Sequence, residues 1–171
     1  MSVSVLERPK RREVFTLRRW ESREDYELWR DGDMVAQPIE ESVFEKNVLL
    51  NEGIGALLNL LIGAAETAFS NANAFIGVGD DNTAESAAQT GLIAATNKLY
   101  KAMEASYPQI ASQTVTFRAV FGTSEGNFDW NEFTVASGNS DAADNLNRKV
   151  SAQGTKASGQ TWTIDVAVTF S

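Results

Sequence analysis

Cysteine and histidine are both missing from this chain, and each absence removes chemistry. Without cysteine there are no disulfides, no zinc-thiolate sites and no thiol nucleophiles. Without histidine no Ser-His-Asp system can be built, and a Ser-Lys pair has no motif behind it here. No apolar run reaches the length of a membrane span. The opening MSVSVLERPKRRE carries charge where a secretory signal needs an apolar stretch, so the protein is expected to stay in the cytoplasm unless it leaves within a larger particle. Only three residues are proline and 43% are hydrophobic, a composition that can bury enough apolar surface to fold. At 171 residues the chain has room for one domain with a full core plus an appendage.

What is present is alternation. From Gln113 to Ser171 short runs place an apolar residue at every second position among Thr, Ser, Arg and Asp, the pattern of an antiparallel sheet packed on one face and wet on the other. In the last run Trp162, Ile164, Val166, Val168 and Phe170 point one way and Thr161, Thr163, Asp165, Ala167 and Thr169 the other, because successive strand side chains alternate faces. Truncating Trp162 is therefore expected to be costly and truncating Thr163 cheap. Strands are expected over 114–121, 127–136, 146–152 and 161–170, with a short buried strand over 74–79, an edge strand over 98–103 and a strand-like 43–50. Gly/Ser/Asn/Asp-rich loops separate them. Residues 90–97 read as helix or turn. Ile54, Leu57, Leu58, Leu61 and Ile62 recur at helical spacing and predict one short core helix ending near Gly63. Many short strands with one helix predict a mainly β fold, an antiparallel β-sandwich with Greek-key or jelly-roll connections, over 47–171.

Residues 1–46 read differently. The net charge of -8 is uneven: from Arg8 to Arg19 six basic residues face one acid, and from Trp20 to Lys46 nine acids face three bases. A basic arm on an acidic body suits docking onto an acidic surface; the plainer alternative is a solvated tail. The acidic body speaks against nucleic acid. Tyr26 to Ala36 reads as a hairpin turning at Asp31-Gly32. Since two strands alone are marginal in water, Trp20, Tyr26, Trp29 and Met34 need cover from the body or from another subunit. The expected partner-binding residues of this extended arm are Arg8, Lys10, Arg11, Arg12, Arg18, Arg19, Trp20, Tyr26 and Trp29, and the body is expected to fold without it.

Sites for small-molecule chemistry are weak. Asp80-Asp81-Asn82 has oxygen donors but not the spacing or closing glutamate of an EF-hand. Glu125, Asp129 and Glu132 fall close together, yet Glu132 and Asp129 would lie on opposite faces of a strand, unlike a glycosidase pair. Gly77-Val-Gly79 lacks the third glycine of a dinucleotide fingerprint and reads instead as close backbone approach or a bulge. Arg148 and Lys156, with Asp144 and Glu132, read as surface ion pairs, or as partly buried pairs or a subunit contact. No cofactor or metal is expected.

The strings Asn47-Val-Leu-Leu-Asn51-Glu-Gly53, Phe75-Ile-Gly-Val-Gly79-Asp80, Phe121-Gly, Phe128-Asp-Trp130-Asn-Glu132-Phe133, Leu146-Asn-Arg148 and Gly154-Thr-Lys156-Ala-Ser-Gly159-Gln-Thr-Trp162-Thr, in this order, resemble a group of small virion structural proteins of tailed bacteriophages. The resemblance covers roughly Asn47 to Ser171. It implies a non-enzymatic role on the particle, as a capsid decoration or cement subunit or a tail-associated piece, with other virion proteins and further copies of itself as partners. The alternative function is a tail- or fibre-base-associated module contacting a receptor or glycan through loops 80–89 and 137–145.

Overall fold

A computed structural model describes residues 10–171. Its elements in order are β1 (Arg11–Trp20), α1 (Arg23–Arg30), β2 (Glu40–Glu45), β3 (Val48–Leu49), α2 (Asn51–Leu61), β4 (Phe75–Gly79), β5 (Lys98–Ala102), β6 (Gln109–Ala111), β7 (Thr114–Phe121), β8 (Glu132–Ala136), β9 (Asn147–Val150) and β10 (Thr161–Phe170). They form two five-stranded sheets, ordered β2-β1-β10-β7-β6 and β3-β9-β8-β4-β5, in which every strand pair is antiparallel. Phe15, Leu17, Phe117, Trp162, Ile164 and Val166 from the first sheet share one core with Ile76, Val78, Phe133 and Val135 from the second. The protein is thus mainly β, with two antiparallel sheets in the manner of a sandwich. Trp130 lies edge-on to Phe121, Phe133 and Trp162, an arrangement favoured by the ring quadrupoles.

The strands over 114–121 and 161–170 lie where alternation places them. The expected strand 127–136 is regular only from Glu132, and 43–50 is two strands. Lys46, at φ 65°, breaks it, and the chain passes from one sheet to the other between Glu45 and Val48. Residues 90–97 hold no helix. The two glycines of β4 do mark close approach: a Cβ on Gly77 would sit 2.7 Å from Thr134 Cγ2 and from Tyr100 Cε1, and one on Gly79 would collide with the Glu132 carboxylate.

The arm is the main correction. Residues 11–20 pair along their whole length with β10 and on the other side with β2, so the first segment lies inside the sheet and is not an extended arm. Its period-two pattern directs Phe15 and Leu17 into the main core and Trp20 to the opposite face. The expected hairpin over 26–36 is likewise absent, because α1 forms there. Ser22 caps the helix by accepting from the Asp25 N–H at 3.1 Å while the Asp25 carboxylate accepts from the Ser22 N–H, a reciprocal capping box. The Asp31-Gly32 step ends the helix, with Gly32 at φ +94° and the Asp33 N–H bonded to Leu28 O, in the manner of a glycine C-cap.

Helix α1 also changes the outer face of the first sheet. Trp20, Tyr26 and Val120 form a second buried cluster against which Trp29 packs, so β10 is covered on both faces from Thr161 to Val166. Thr163 is only 1% exposed and accepts from Trp20 Nε1 at 3.0 Å. Trp162→Ala is expected to cost about 3–5 kcal/mol through the cavity it leaves. Thr163→Ala, no longer a solvent-face change, is expected to cost about 1–3 kcal/mol because it orphans the buried indole N–H. Urea titration of the two variants checks this, and a negligible loss at Thr163 would mean that α1 does not seal that face.

Candidate assembly surface

The structure brings the expected docking residues into the molecule's own contacts. Arg12 pairs with Glu45, and Arg19 with Glu40 at 2.8 Å while its guanidinium lies over Trp162. Arg18 bonds Asp165 at 3.0 Å and Glu41 at 2.7 Å. Arg118 makes a two-pronged bond to the same Asp165, and Trp29 receives Arg18 at 5.0 Å and Arg118 at 5.4 Å from its ring centre. Arg11 reaches buried Glu13, which also accepts from Asn147 and Asn47. Tyr26 donates to Glu104; burial first, and then that carboxylate, push its phenol pKa up. Lys10 is exposed beside Ser171, whose main chain it pairs with. Arg8 lies outside the described residues. Trp20 and Tyr26 are fully buried. Cover for these two therefore comes from the protein's own body, whereas Met34 remains exposed.

Of the four residues expected to make surface pairs, Glu132, Arg148 and Lys156 are also internal, and Asp144 is partly exposed. Arg148 and Glu132 have no exposed surface and meet at 2.7–2.8 Å. Glu132 accepts from the Ile93 and Ala94 N–H groups at 2.9 and 2.8 Å, while Arg148 reaches Thr83 O at 2.8 Å and the Gln89 side chain at 3.1 Å. One buried pair thus clamps both parts of the 80–97 segment. Lys156, also fully buried, donates to Gly122 O at 2.7 Å and Asn127 Oδ1 at 2.9 Å. The loops proposed as contact surfaces spend polar groups in the same way, with Asp141 binding Lys98, Tyr100 and the Leu92 N–H.

Burial pushes the Lys156 ammonium down to about 8 from 10.5, against the pull of Glu125. Between those values the unfolded chain binds more protons than the folded one, so this group makes stability rise with pH from about 8. Tyr26 and Tyr100, both raised from 10.0, oppose the rise above that value because there the folded state holds the extra protons. A pH series of urea midpoints is expected to show a gain between pH 8 and 10 that Lys156→Met removes. An unchanged profile in the variant would place the titration elsewhere.

What the body leaves unspent is apolar. Helix α2 has no charged residue between Glu52 and Glu66, and the face predicted for the core is largely turned outward. Leu58 is 57%, Leu61 80% and Ile62 78% exposed. The buried side is instead Gly53 and Ala56. A Cβ on Gly53 would fall 2.5 Å from Leu146 Cα and O, so the helix can lie this close to the chain leading into β9 only through a glycine. Small residues decide the face because they permit backbone approach that leucine forbids. Leu57 and Leu60 from α2, Leu49, Phe69, Val115, Phe117, Leu146 and Val168, and the exposed Ile110 and Phe170 line a groove of about 250 Å³ between the sheets. Among the described residues the groove is open at the end of the sandwich where β1 begins, since Arg11 is paired with Phe170. Every lining side chain is apolar. The signal available in sequence was the charge-free stretch itself, too apolar on all sides for a helix with one wet face.

Among the described residues no group of three or more Asp or Glu is placed to hold a metal ion, and no helix is long and apolar enough to cross a membrane. Asp81 accepts from the Thr83 N–H at 2.7 Å, and Asp129 from the Thr155 hydroxyl. Glu125 pairs with Lys101 at 2.5 Å, while Glu132 is the buried partner of Arg148. The three carboxylates at 125, 129 and 132 therefore do not converge. Comparison with protein-family models, with curated proteins and with solved structures returned no match.

Proposed function

We propose that this chain is a non-enzymatic structural subunit of a tailed-bacteriophage virion, foremost a capsid decoration or cement protein bound to other virion proteins, made in the host cytoplasm and carried on the particle. A Greek-key or jelly-roll description of the connections belongs to the same reading. The motif order from Asn47 to Ser171 supports the virion assignment. The observation that carries the structural role is the contrast between a body whose buried charges all face internal partners and, among the described residues, an end groove lined only by apolar side chains. Apolar surface of that kind, ringed by polar residues, is typical of protein contacts. Contact is assigned to this surface and the sheet edges, because the basic residues of β1 are already engaged.

A tail- or fibre-base-associated binding module is the second reading. In its favour is an open cleft of about 370 Å³ lined by Phe75, Lys98, Leu99, Tyr100 and residues 139–141, where an aromatic ring and polar groups adjoin. Purified particles of a phage encoding this chain decide between the readings. Labelled protein at regular positions over the head, in high copy, is the expected image. Label confined to the tail would favour the second reading, and absence of the protein from particles would overturn both.

A further inference from the structure

The hydrogen-bond partners of buried Lys156 are neutral. The residue has no exposed surface, and a charge in such a place is ordinarily held by a carboxylate. Its Nζ donates instead to Gly122 O at 2.7 Å and Asn127 Oδ1 at 2.9 Å, while Glu125, the carboxylate whose charge acts on it, is bonded to Lys101. Two acceptors suit an amine better than an ammonium, which has three N–H groups to place. Burial shifts the group the same way, to about 8, as it does for lysines that act as nucleophiles. Asn127 offers this amine an electrophile. Because a carbonyl bond is about 1.2 Å long, a nitrogen 2.9 Å from Oδ1 stands about 3–4 Å from Cγ, close to a near-attack separation. The chain fixes both groups. Residues 153–156 run beside 128–130, with the Lys156 N–H on Phe128 O at 3.0 Å and the Trp130 N–H on Gly154 O at 2.9 Å. The turn before Asn127 is held by Gly126 at φ 62°, by Trp130 Nε1 donating to Gly126 O at 2.8 Å, and by Glu125 accepting from the Gly122 N–H at 2.8 Å. Glu125 and Lys156 thus hold the N–H and the C=O of the same glycine.

We propose that Lys156 and Asn127 join in an intramolecular isopeptide bond, a covalent staple that the folded chain makes by itself. The bond between Lys156 Nζ and Asn127 Cγ forms, and the bond between Cγ and Nδ2 breaks. The attacking nitrogen gives up one proton, Nδ2 receives one, and ammonia departs, so no oxidant or cofactor is consumed. Glu125 supplies the carboxylate that carries the proton between them. Asn127 Nδ2 donates to Thr123 O at 3.1 Å in exposed surroundings, so the ammonia has a way out. The link spans 29 positions of the chain and ties the 122–127 turn to the stretch that enters β10, restricting the unfolded chain as other cross-links do. Linkage also ends the titration of Lys156, so the stability gain ascribed to that group belongs to the chain before linkage. The inference goes beyond the virion reading and does not depend on it.

Mass spectrometry of the intact full chain, stored folded in mildly alkaline buffer, tests this. A species one ammonia lighter than the sequence requires is expected to accumulate, and trypsin is expected to release from it a branched peptide that joins residues 127 and 156 and is uncut after Lys156. Lys156→Met and Asn127→Ala are expected to keep their full masses. Asn127→Asp is expected to lose one water in place of ammonia, because the same amine then displaces a carboxyl oxygen. Glu125→Gln is expected to slow the loss by about tenfold or more, as removal of a proton carrier does. Circular dichroism checks that each variant keeps the wild-type spectrum, and the wild-type mass needs no variant. A folded wild-type chain that stays at full mass would overturn the proposal and leave Lys156 as a structural donor. An ammonia loss that maps to other residues, or that persists in Lys156→Met, would overturn it as well, since ring closure at another asparagine gives the same mass change. Because the measurement needs no particle, linkage in a protein absent from virions would sink only the virion reading, and full mass in a protein found on virions only this one.

Discussion

Deleting residues 1–46 is expected to abolish folding, the reverse of what the charge pattern suggests. The deletion removes β1 and β2, exposes β10 as a bare edge, and takes Phe15 and Leu17 from the main core and Trp20 and Tyr26 from the second cluster. Each large buried side chain lost this way costs about 2–5 kcal/mol, so four of them match or exceed the ~5–15 kcal/mol that holds a typical domain together. The truncated chain should lack the near-ultraviolet circular dichroism and the cooperative urea transition of the full protein. A sharp transition in the 47–171 fragment would show that the first sheet closes without its inner strand.

The second large effect is expected at the buried pair. Glu132→Ala removes the buried carboxylate from fully buried Arg148 and leaves it only the long contact to part-exposed Asp81 at 3.5 Å, and breaking such a buried pair costs about 3–5 kcal/mol. The Ile93 and Ala94 N–H groups lose their acceptor in the same step, so amide exchange there should accelerate more than in β10. Replacing both partners, Glu132→Gln with Arg148→Met, is expected to recover part of the loss, since no charge is then stranded. Equal destabilisation in the single and double variants would mean that the pair itself is unimportant and that the clamped loop contacts dominate.

Much of the sheet was legible because alternation is local. β7 and β10 fall where their period-two runs lie, and the close approaches at Gly77 and Gly79 followed from glycine inside a strand. β1 was obscured by its arginines. Charge at 12, 18 and 19 reads as a docking patch or a solvated tail until Glu45, Glu41, Glu40 and Asp165 are brought beside it from elsewhere in the chain. Helix α1 carried a legible sign, Ser22 three residues before Asp25, which was outweighed by the hairpin look of Asp31-Gly32, a step that also closes helices. The groove was legible only as the charge-free stretch of α2, since which apolar residues remain uncovered is decided on folding.

The sequence by itself determined the chemistry that is excluded, the mainly β class and the position of its longest alternating strands, because composition and period are properties of neighbours along the chain. Tertiary structure decided the rest. It placed β1 between β2 and β10, buried Arg148 and Lys156 among acceptors far away in sequence, and turned the leucines of α2 outward by seating Gly53 on Leu146. A charged or apolar side chain has no fixed preference for surface or interior until its partners are supplied, and those partners are distant in sequence.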